Sequence, residues 1–363
     1  MITSAIGQSA ILVFTFLTCT AVQADEVWEV FETRTQASLR GLVAVSKEVA
    51  WACGSQGTIV QTIDGGRSWL HRSISNLQAV EVRSIHAWNI NEAIVATAGQ
   101  PALILKTIDR GVTWKTAYEN KSPQAFFDGM KFWNDRSGVA FSDPIDGGLL
   151  IVKTDDGGDS WYAIEPRDIP KMESGEAGFA ASNSSLHAFG NQLAWIGLGG
   201  GNEGPSRVFR SPDEGMHWTS HLVPPIGRGT SSGIFAIAFE NEQSGIAVGG
   251  DYNKTTIATQ NIAITDDGGL NWREPRTNHP RGFRSSVVAI ASRGFHVAKT
   301  TWLTCGPSGC DWSSNGEDWS ALSDIGFHVM SVAPDQTVWA AGSMGRIAIL
   351  NNKTLQLDLS RRR

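Results

Sequence analysis

The amino-acid sequence predicts an all-β fold: a seven-bladed β-propeller with Asp-box repeats, its ring closed by the N-terminal strand in the last blade. Two repeated patterns predict it, a turn motif that ends in Trp and an apolar hairpin with a Gly-rich turn. The composition agrees, because 39 Gly and 14 Trp among 363 residues are typical of many short strands joined by tight turns. A repeat of fixed length indicates the architecture before any single element does.

The turn motif, the Asp-box, reads Ser or Thr, any residue, Asp, any residue, Gly, two residues of any kind, and Trp. Five copies occupy residues 62–69, 107–114, 154–161, 211–218 and 265–272, and a degenerate sixth ends at Trp319 with Ser314 in the place of Asp. Successive Trp residues are 45 to 57 positions apart, which fits four short strands per unit. Because Asp accepts backbone N–H groups in a tight turn, we expect the motif's carboxylates to be structural. They are Asp64, Asp109, Asp156, Asp213 and Asp267.

The apolar hairpin occurs seven times, and six of the hairpins are followed by a Trp motif. The segment VWEVFET near the N-terminus supplies the missing outer strand, because Trp28 precedes the first hairpin as Trp69 precedes the second. Closure of this kind removes an exposed sheet edge. The alternative is that residues 355–359 provide that strand.

The N-terminal segment predicts export. Residues 1–24 contain no Asp, Glu, Lys or Arg, include an apolar run over 11–17, and end in Ala24. We therefore expect a signal peptide at 1–24, a propeller over 25–363, and a periplasmic or secreted protein. An uncleaved anchor and a lipid-anchor signal at Cys19 are the alternatives. No later segment resembles a membrane span, and we expect a monomer with no membrane span in the mature chain.

Charge and cysteine content narrow the possible partners. The net charge of −6 argues against nucleic acid as a partner. Cys305 and Cys310 bracket a turn sequence, which predicts a disulfide across a hairpin, with two buried free thiols as the alternative. We expect no metal, because the three cysteines that would remain after removal of the signal peptide, without clustered His, do not form a zinc site. We expect no cofactor either, since no dinucleotide, haem or copper motif is present.

The Gly-rich hairpins and the T-x-D-G-G-x-x-W turns together resemble the photosystem II assembly-factor propellers. Residues 126–148 (FFDGMKFWNDRSGVAFSDPIDGG), 233–252 (GIFAIAFENEQSGIAVGGDY) and 282–286 (GFRSS) are similar to the bacterial branch of that family, whose role is unknown. In the photosynthetic members the propeller binds a newly made membrane protein or its pigments. The resemblance therefore implies a binding or assembly scaffold more than an enzyme, and we assign no catalytic residue.

Aligning the seven units predicts a ring of residues at one mouth of the central channel. They are Arg40, Arg83, Asp128, Phe235, Arg284 and His328, with Asn183 or Ser184 in the fourth blade. Arg grips carboxylate or phosphate through two parallel hydrogen bonds, so three arginines predict a site for an anionic group of a protein or a small ligand. Alternatively, the arginines pair with Asp128, Asp143 or Asp251 and only complete the channel wall.

Long loops on the same face extend this candidate site. The hairpin turns 142–148, 199–205 and 249–260 and the links 163–181 and 220–233 are the longest. Their polar residues are further candidates, unless they are solvated loop residues. They are Asp143, Asp146, Glu176, Asn202, Glu203, Asp251, Tyr252 and Asn253.

Two enzyme classes remain as alternatives. A glycoside hydrolase of the sialidase or polysaccharidase type would use an Asp-box propeller, an arginine triad and paired carboxylates. Only Tyr252 of the three tyrosines lies in a loop of the relevant face, where it could act as a nucleophile. The further alternative is an oxidoreductase, as some bacterial relatives are labelled.

Overall fold

A computed structural model describes residues 27–74, 76–292 and 299–351 of the chain. These residues form seven antiparallel sheets and one short 3-10 helix, Pro166–Asp168. The prediction of an all-β fold is confirmed. Three sequence predictions lie outside the described residues: the signal peptide, Cys19 and the alternative closing segment 355–359.

The sheets are numbered I to VII in the order of their innermost strands. The chain begins with β1 (Trp28–Glu32), which belongs to sheet VII. Sheets I to III are formed by β2 (Leu39–Ala44), β3 (Ala50–Gly54), β4 (Ile59–Thr62), β5 (Leu70–His71), β6 (Glu81–Ala87), β7 (Ala93–Ala98), β8 (Ala102–Thr107), β9 (Lys115–Asn120), β10 (Phe127–Phe132), β11 (Gly138–Ile145), β12 (Gly148–Thr154) and β13 (Tyr162–Ala163). Sheet I is β2 to β5, sheet II is β6 to β9, and sheet III is β10 to β13.

The remaining strands form sheets IV to VII. They are β14 (Glu176–Ala177), β15 (Leu186–Phe189), β16 (Leu193–Gly197), β17 (Gly199–Gly200), β18 (Gly204–Ser211), β19 (Thr219–Arg228), β20 (Ser232–Phe239), β21 (Gly245–Asp251), β22 (Ile262–Thr265), β23 (Ser286–Ser292), β24 (Lys299–Gly306), β25 (Gly309–Ser313), β26 (Ser320–Ser323), β27 (Val329–Val332), β28 (Val338–Ala341) and β29 (Arg346–Leu350). Sheet IV is β15, β16, β18 and β19; sheet V is β20 to β22 extended by β17 and β14; sheet VI is β23 to β26.

Sheet VII joins the two ends of the described chain. Its order is β1-β29-β28-β27, so the N-terminal strand pairs antiparallel with the last strand. Trp28 lies opposite Leu350, and Glu32 lies opposite Arg346. The segment that the sequence predicted as an outer strand therefore occupies the outer edge of this sheet.

The innermost strands of the seven sheets contact one another in sequence order. Each of β2, β6, β10, β15, β20, β23 and β27 contacts the next in this order, and β27 contacts β2. The apolar core lies between neighbouring sheets; for example, Trp339 of sheet VII packs with Leu42 and Val60 of sheet I. The second strand of a sheet, such as β3 or β7, is buried along its whole length, because other sheets cover both of its faces.

In sheets I to IV each Asp-box forms the turn between the third and fourth strands, and in sheet V it connects β22 to an isolated bridge between Ile264 and Arg273. In sheet I, Asp64 Oδ1 accepts hydrogen bonds from Thr62 Oγ1 at 2.9 Å and from the Ser68 amide at 2.9 Å. The Gly66 amide donates to Thr62 Oγ1 at 3.0 Å with a backbone φ of +87°, which favours Gly. Trp69 Nε1 then donates to the Gly66 carbonyl at 3.1 Å. The bonds to the carboxylate and the hydroxyl recur in the other four complete copies, and the indole bond recurs in two of them.

The degenerate sixth motif requires a correction. Ser314 does not take the place of the Asp; Asn315 does, because its Oδ1 accepts from the amides of Glu317 and Asp318 at 2.9 Å each. Ser313 Oγ accepts from the Gly316 amide at 2.9 Å, as Thr62 does in sheet I. The turn is thus one residue shorter, and an amide oxygen replaces the carboxylate. In the preceding hairpin of the same sheet, Cys305 and Cys310 are joined by a disulfide.

Candidate functional site

A cavity of about 530 Å³ lies where the innermost strands begin, and is called the mouth cavity below. Residues from the first positions of β2, β6 and β10 reach it together with loops of the same face. Six predicted site residues line it: Arg40, Arg83, Asp128, Asp143, Tyr252 and His328. Phe235, which the alignment placed on the same ring, also lines it.

The two arginines of the mouth cavity hold backbone carbonyls. Arg40 Nη1 donates to Ala181 O at 3.1 Å, and Arg83 Nη1 donates to Ala180 O at 3.1 Å. Arg83 also pairs with Glu81 at 3.1 Å, whereas Arg40 forms no salt bridge with any described residue. Burial and the neighbouring charge of Arg83 lower the pKa of Arg40 to about 10. Arg40 therefore carries a desolvated charge without a carboxylate partner in the cavity.

Arg284, the third arginine that the sequence placed on the ring, differs from Arg40 and Arg83 in its surroundings. Its side chain is fully buried and does not line the mouth cavity. Arg284 Nε donates to Asp311 Oδ2 at 2.8 Å, and Nη1 donates to Phe283 O at 2.8 Å and to Ser308 Oγ at 3.1 Å. Asp311, itself buried on β25, draws the guanidinium into the wall of sheet VI because each ion compensates the burial of the other.

The carboxyl groups of Asp128 and Asp143 are neighbours in the mouth cavity. Asp128 is 1% exposed, and its carboxyl group lies near the Asp143 carboxyl group and the Ala180 amide without a hydrogen bond of good geometry to either. Asp143 Oδ1 accepts from the Gly178 amide at 3.2 Å. Burial and the adjacent Asp143 raise the pKa of Asp128 well above its usual range, and burial raises the pKa of Asp143 to about 6. Neither carboxyl group forms a salt bridge with Arg40 or Arg83, although the charge of Arg83 acts on Asp128.

Aromatic rings form the apolar wall of the mouth cavity. Phe179 stacks on Phe235 with a ring-centroid distance of 4.0 Å, and Tyr252 meets both rings edge-on at 6.3 and 6.1 Å. Phe283 meets Phe235 edge-on at 4.6 Å. The Arg83 guanidinium lies 5.9 Å from the centre of the Phe126 ring. The cavity thus combines cationic groups with a wall that suits an apolar or aromatic group.

The segment 177–183 crosses this mouth; the sequence placed its first part in the long link 163–181 and Asn183 or Ser184 on the ring. Its carbonyls accept from the two arginines, while Ser182 Oγ donates to Ser285 O, just before sheet VI, at 2.7 Å. Asn183 Nδ2 donates to Ile85 O at 3.0 Å, and its Oδ1 accepts from the Met130 amide at 3.0 Å. Asn183 is therefore a structural tie between sheets rather than a free ligand. The unusual length of the 163–181 link was the available signal for this segment.

His328 is a neutral member of the mouth cavity. Its Nε2 lies 2.9 Å from Ser343 Oγ. Burial, together with the charges of Arg40, Arg83 and Arg346, lowers the pKa of His328 to about 3. The ring therefore adds no positive charge near neutral pH.

The remaining candidates from the long loops do not line the mouth cavity. Asp251, Asn202 and Glu203 line a separate, wider groove of about 990 Å³. Asp251 Oδ1 accepts from Ser231 Oγ at 2.7 Å and from the Asn253 amide at 2.9 Å, which makes it a turn residue. Two further candidates lie outside both cavities: Glu176 is buried and pairs with Arg207, and Asp146 occupies an exposed turn with a φ of +52°.

Metal-binding clusters and membrane-crossing helices are both absent from the described residues. No group of three or more His, Cys, Asp or Glu side chains in residues 27–74, 76–292 and 299–351 is arranged to hold a metal ion. Over the same ranges, the structure contains no helix with the length and apolar character needed to cross a membrane.

Antiparallel sheets that pack side by side around a shared cavity define the β-propeller class of proteins. Comparison with solved structures supports the assignment of this chain to that class. "YCF48 from Cyanidioschyzon merolae" superimposes with a TM-score of 0.62 at 15% identity, covering 90% of this chain and 99% of that one. "YCF48 bound to D1 peptide" gives a TM-score of 0.57 at 18% identity, covering 89% and 94%. The WD40 propeller domain of Doa1 gives 0.57 at 11% identity, covering 90% and 96%. The chain therefore has a β-propeller fold.

Sequence comparison points to one family of propellers. The family model described as "Photosynthesis system II assembly factor YCF48" matches residues 20–164. The "Photosystem II assembly lipoprotein Ycf48" of Synechococcus sp. (strain CC9902) is 25% identical over 144 residues, which are 38% of this chain. That match spans 39% of the relative's length. The resemblance to the photosystem II assembly-factor propellers that the repeats predicted is confirmed.

Proposed function

We propose that this protein is a binding or assembly scaffold whose mouth cavity holds an anionic group of a protein partner. One observation carries the proposal: Arg40 lies in an aromatic-walled cavity and forms no salt bridge with a carboxylate of the described residues. A desolvated guanidinium gains most from a ligand that supplies a carboxylate or phosphate. Arg83, beside it, adds a second positive charge that Glu81 only partly offsets.

The scaffold itself is proposed to be a closed ring of seven blades. Sheets I to VII would each form one blade, and β1 would close the ring through its pairing with β29. Support comes from the order of contacts between the innermost strands and from Trp28, which is buried in sheet VII at 3% exposure. A closed ring keeps the residues of the mouth cavity, which come from distant parts of the chain, in fixed relative positions.

A protein segment is the partner that the comparisons favour. One of the similar structures is that of "YCF48 bound to D1 peptide", and a relative is named a photosystem II assembly lipoprotein. The volume of the mouth cavity suits one or two side chains rather than a folded domain. We infer that an acidic or phosphorylated side chain would contact Arg40 and Arg83 while an apolar neighbour packs on Phe179 and Tyr252.

An extracytoplasmic location is also part of the proposal. The relative from Synechococcus is named a lipoprotein, which supports a place outside the cytoplasm. The apolar N-terminal segment 1–24 would direct export, followed by the propeller over 25–363. The disulfide between Cys305 and Cys310 suits an oxidising compartment.

A glycoside hydrolase has less support. Its two carboxyl groups would have to stand about 5 to 10 Å apart on either side of the scissile bond. Asp128 and Asp143 are instead direct neighbours that perturb each other's ionisation. Arg284 is unavailable for an arginine triad because it is buried against Asp311. No feature of the described residues favours an oxidoreductase.

Capture of partners by charge-neutral variants tests the proposal. The purified full chain, the double variant Arg40→Gln with Arg83→Gln, and the exposed control Arg136→Gln are immobilised and exposed to a periplasmic extract of the source cells. We expect the double variant to lose a partner that the wild type and the control retain, with all three showing similar melting temperatures. Equal capture by the double variant would overturn the proposal.

A further inference from the structure

The Asp128 and Asp143 pair is a feature that the proposed function does not use. Asp128 is almost fully buried and lines the mouth cavity, and neither the Asp143 carboxyl group nor the Ala180 amide makes a hydrogen bond of good geometry to its carboxyl oxygens. A buried carboxylate without a donor is strongly disfavoured, and two adjacent carboxylates disfavour each other's ionisation. The free protein therefore holds at least one proton on this pair.

The environment indicates which group holds the proton more firmly. Asp143 accepts a hydrogen bond from the Gly178 amide, which favours its ionised form. The burial of Asp128 favours the neutral acid. The Arg83 guanidinium and the Ala180 amide favour ionisation of Asp128, but they are too weak to reverse the effect of burial. Asp128 is thus the neutral acid while Asp143 is the group that ionises first.

We propose that the Asp128 and Asp143 pair sets the charge of the mouth cavity, so that the cavity binds an anionic group tightly when both are protonated and weakly when the pair ionises. The inference rests on the proposed function, because it assumes that Arg40 and Arg83 bind an anion. It adds that acidification strengthens capture and that neutral or alkaline conditions release the partner.

The other charged groups around the mouth cavity are arginines and one further acid. Arg40, Arg83 and Arg346 are guanidinium groups that keep their proton near neutral pH, and His328 stays neutral because its pKa is lowered to about 3. Glu81, the remaining acid, pairs with Arg83. Asp143, with a pKa of about 6, therefore titrates between about pH 5 and 7.5, and its ionisation adds a negative charge beside the proposed anion.

The direction of the pH effect follows from this charge. Below about pH 6 both carboxyl groups are neutral, and the cavity keeps the full attraction of its arginines. Above about pH 6 the Asp143 carboxylate repels a bound anion. A like charge a few ångströms away in a partly desolvated site is expected to weaken binding about tenfold or more.

Benzenesulfonate is a suitable probe because it stays anionic from about pH 4.5 to 8 and has an aromatic ring for the Phe179 wall. Its binding to the full chain is measured by calorimetry across that range, with benzamide as the neutral control. We expect affinity for benzenesulfonate to fall about tenfold from pH 5 to 7.5. The variant Asp143→Asn, which retains an acceptor for the Gly178 amide, should bind at pH 7.5 as tightly as the wild type does at pH 5. The exposed control Asp146→Asn should keep the wild-type dependence.

Carbon-13 NMR of the aspartate carboxyl groups provides a readout that needs no ligand. Asp143 should titrate near pH 6 and Asp128 above it, and two normal titrations near pH 4 would overturn the inference. Benzenesulfonate binding that is equal at pH 5 and 7.5 would overturn it while leaving the arginine site standing. Absence of binding at every pH would overturn the arginine site and this inference together.

Discussion

The indole of Trp28 packs against the ring of Phe327, with the ring centroids 4.9 Å apart and the planes inclined by 56°. Trp28 lies on the N-terminal strand β1, whereas Phe327 lies just before β27, the innermost strand of sheet VII. The contact therefore adds side-chain packing to the backbone ladder between β1 and β29. It ties the beginning of the described chain to its end.

Trp28→Ala is predicted to destabilise the protein by about 3 to 5 kcal/mol, because it removes a large buried aromatic side chain and leaves a cavity. The matched control is Val30→Ala on the same strand, where the side chain is 47% exposed and a change below about 0.5 kcal/mol is expected. Urea unfolding monitored by far-UV circular dichroism measures both. Equal stability of the two variants would show that β1 is dispensable and would favour residues 355–359 as the closing strand.

Arg284→Met is predicted to cost about 3 kcal/mol, because it leaves the buried Asp311 with Arg281 as its remaining cationic partner. Arg40→Met, in contrast, removes a desolvated charge that has no carboxylate partner, and should change stability by less than about 1 kcal/mol. Chemical unfolding of the two variants makes the comparison. Adding Asp311→Asn to Arg284→Met should recover part of the loss, and an additive further loss would contradict the pairing argument.

Asp156→Asn tests the structural role of the Asp-box carboxylates. Slight burial would raise the pKa of Asp156, but hydrogen bonds from Ser160 and Thr154 outweigh it and lower the pKa to about 2. The folded-state pKa lies below the unfolded value of about 3.9, so this stabilisation is present above about pH 4 and is lost as the pH falls towards 2.

We expect Asp156→Asn to lose about 1 kcal/mol at pH 7, a value kept small because the turn is exposed to solvent. The difference from wild type should vanish near pH 2. Asp135→Asn makes the same charge change at an exposed position outside the motif and should have little effect. Denaturant titrations at both pH values provide the measurement; a deficit that persists unchanged at pH 2 would argue against an ionic contribution.

Repetition explains why the fold could be predicted from the sequence. The Asp-box fixes a turn through bonds among its own residues, so its location directly after the third strand of the unit follows from local chemistry. The sixth motif departs from the prediction because it is one residue shorter, and Asn315 supplies the acceptor that Ser314 cannot. The sequence pattern specifies an Asp at a fixed spacing, whereas the turn only requires a suitably placed oxygen.

The mouth cavity was only partly predictable for a different reason. Arg40, Arg83, Asp128 and His328 follow from the register of the innermost strands, which repeats with each unit. The burial of Arg284 depends on Asp311 of the adjacent hairpin, and such a pairing does not repeat. The segment carrying Phe179 belongs to one long link, so comparison of units contains no information about its path.

A last prediction concerns Lys131, which lies on β10 and lines a smaller cavity of about 280 Å³ among the innermost strands. Apolar residues such as Leu42 and Met330 share this cavity, and Lys131 forms no salt bridge with any described residue. Burial lowers the pKa of Lys131 to about 8, below the unfolded value of about 10.4. The unfolded chain therefore binds more protons between about pH 8 and 10.4, so this group's contribution to stability improves as the pH rises through that range.

Lys131→Met should raise the free energy of unfolding at pH 7 by about 1 to 2 kcal/mol, because it removes the cost of burying the ammonium group and keeps most of the side-chain volume. The gain should shrink as the pH approaches 10, where the wild-type lysine is already neutral in the folded state and most of that cost has disappeared. Lys115→Met, at an exposed position of β9, is the matched control and should be nearly neutral throughout. Urea midpoints at pH 7 and 10 decide the matter: a stabilisation that is the same at both pH values would mean that packing, and not the charge of Lys131, is responsible.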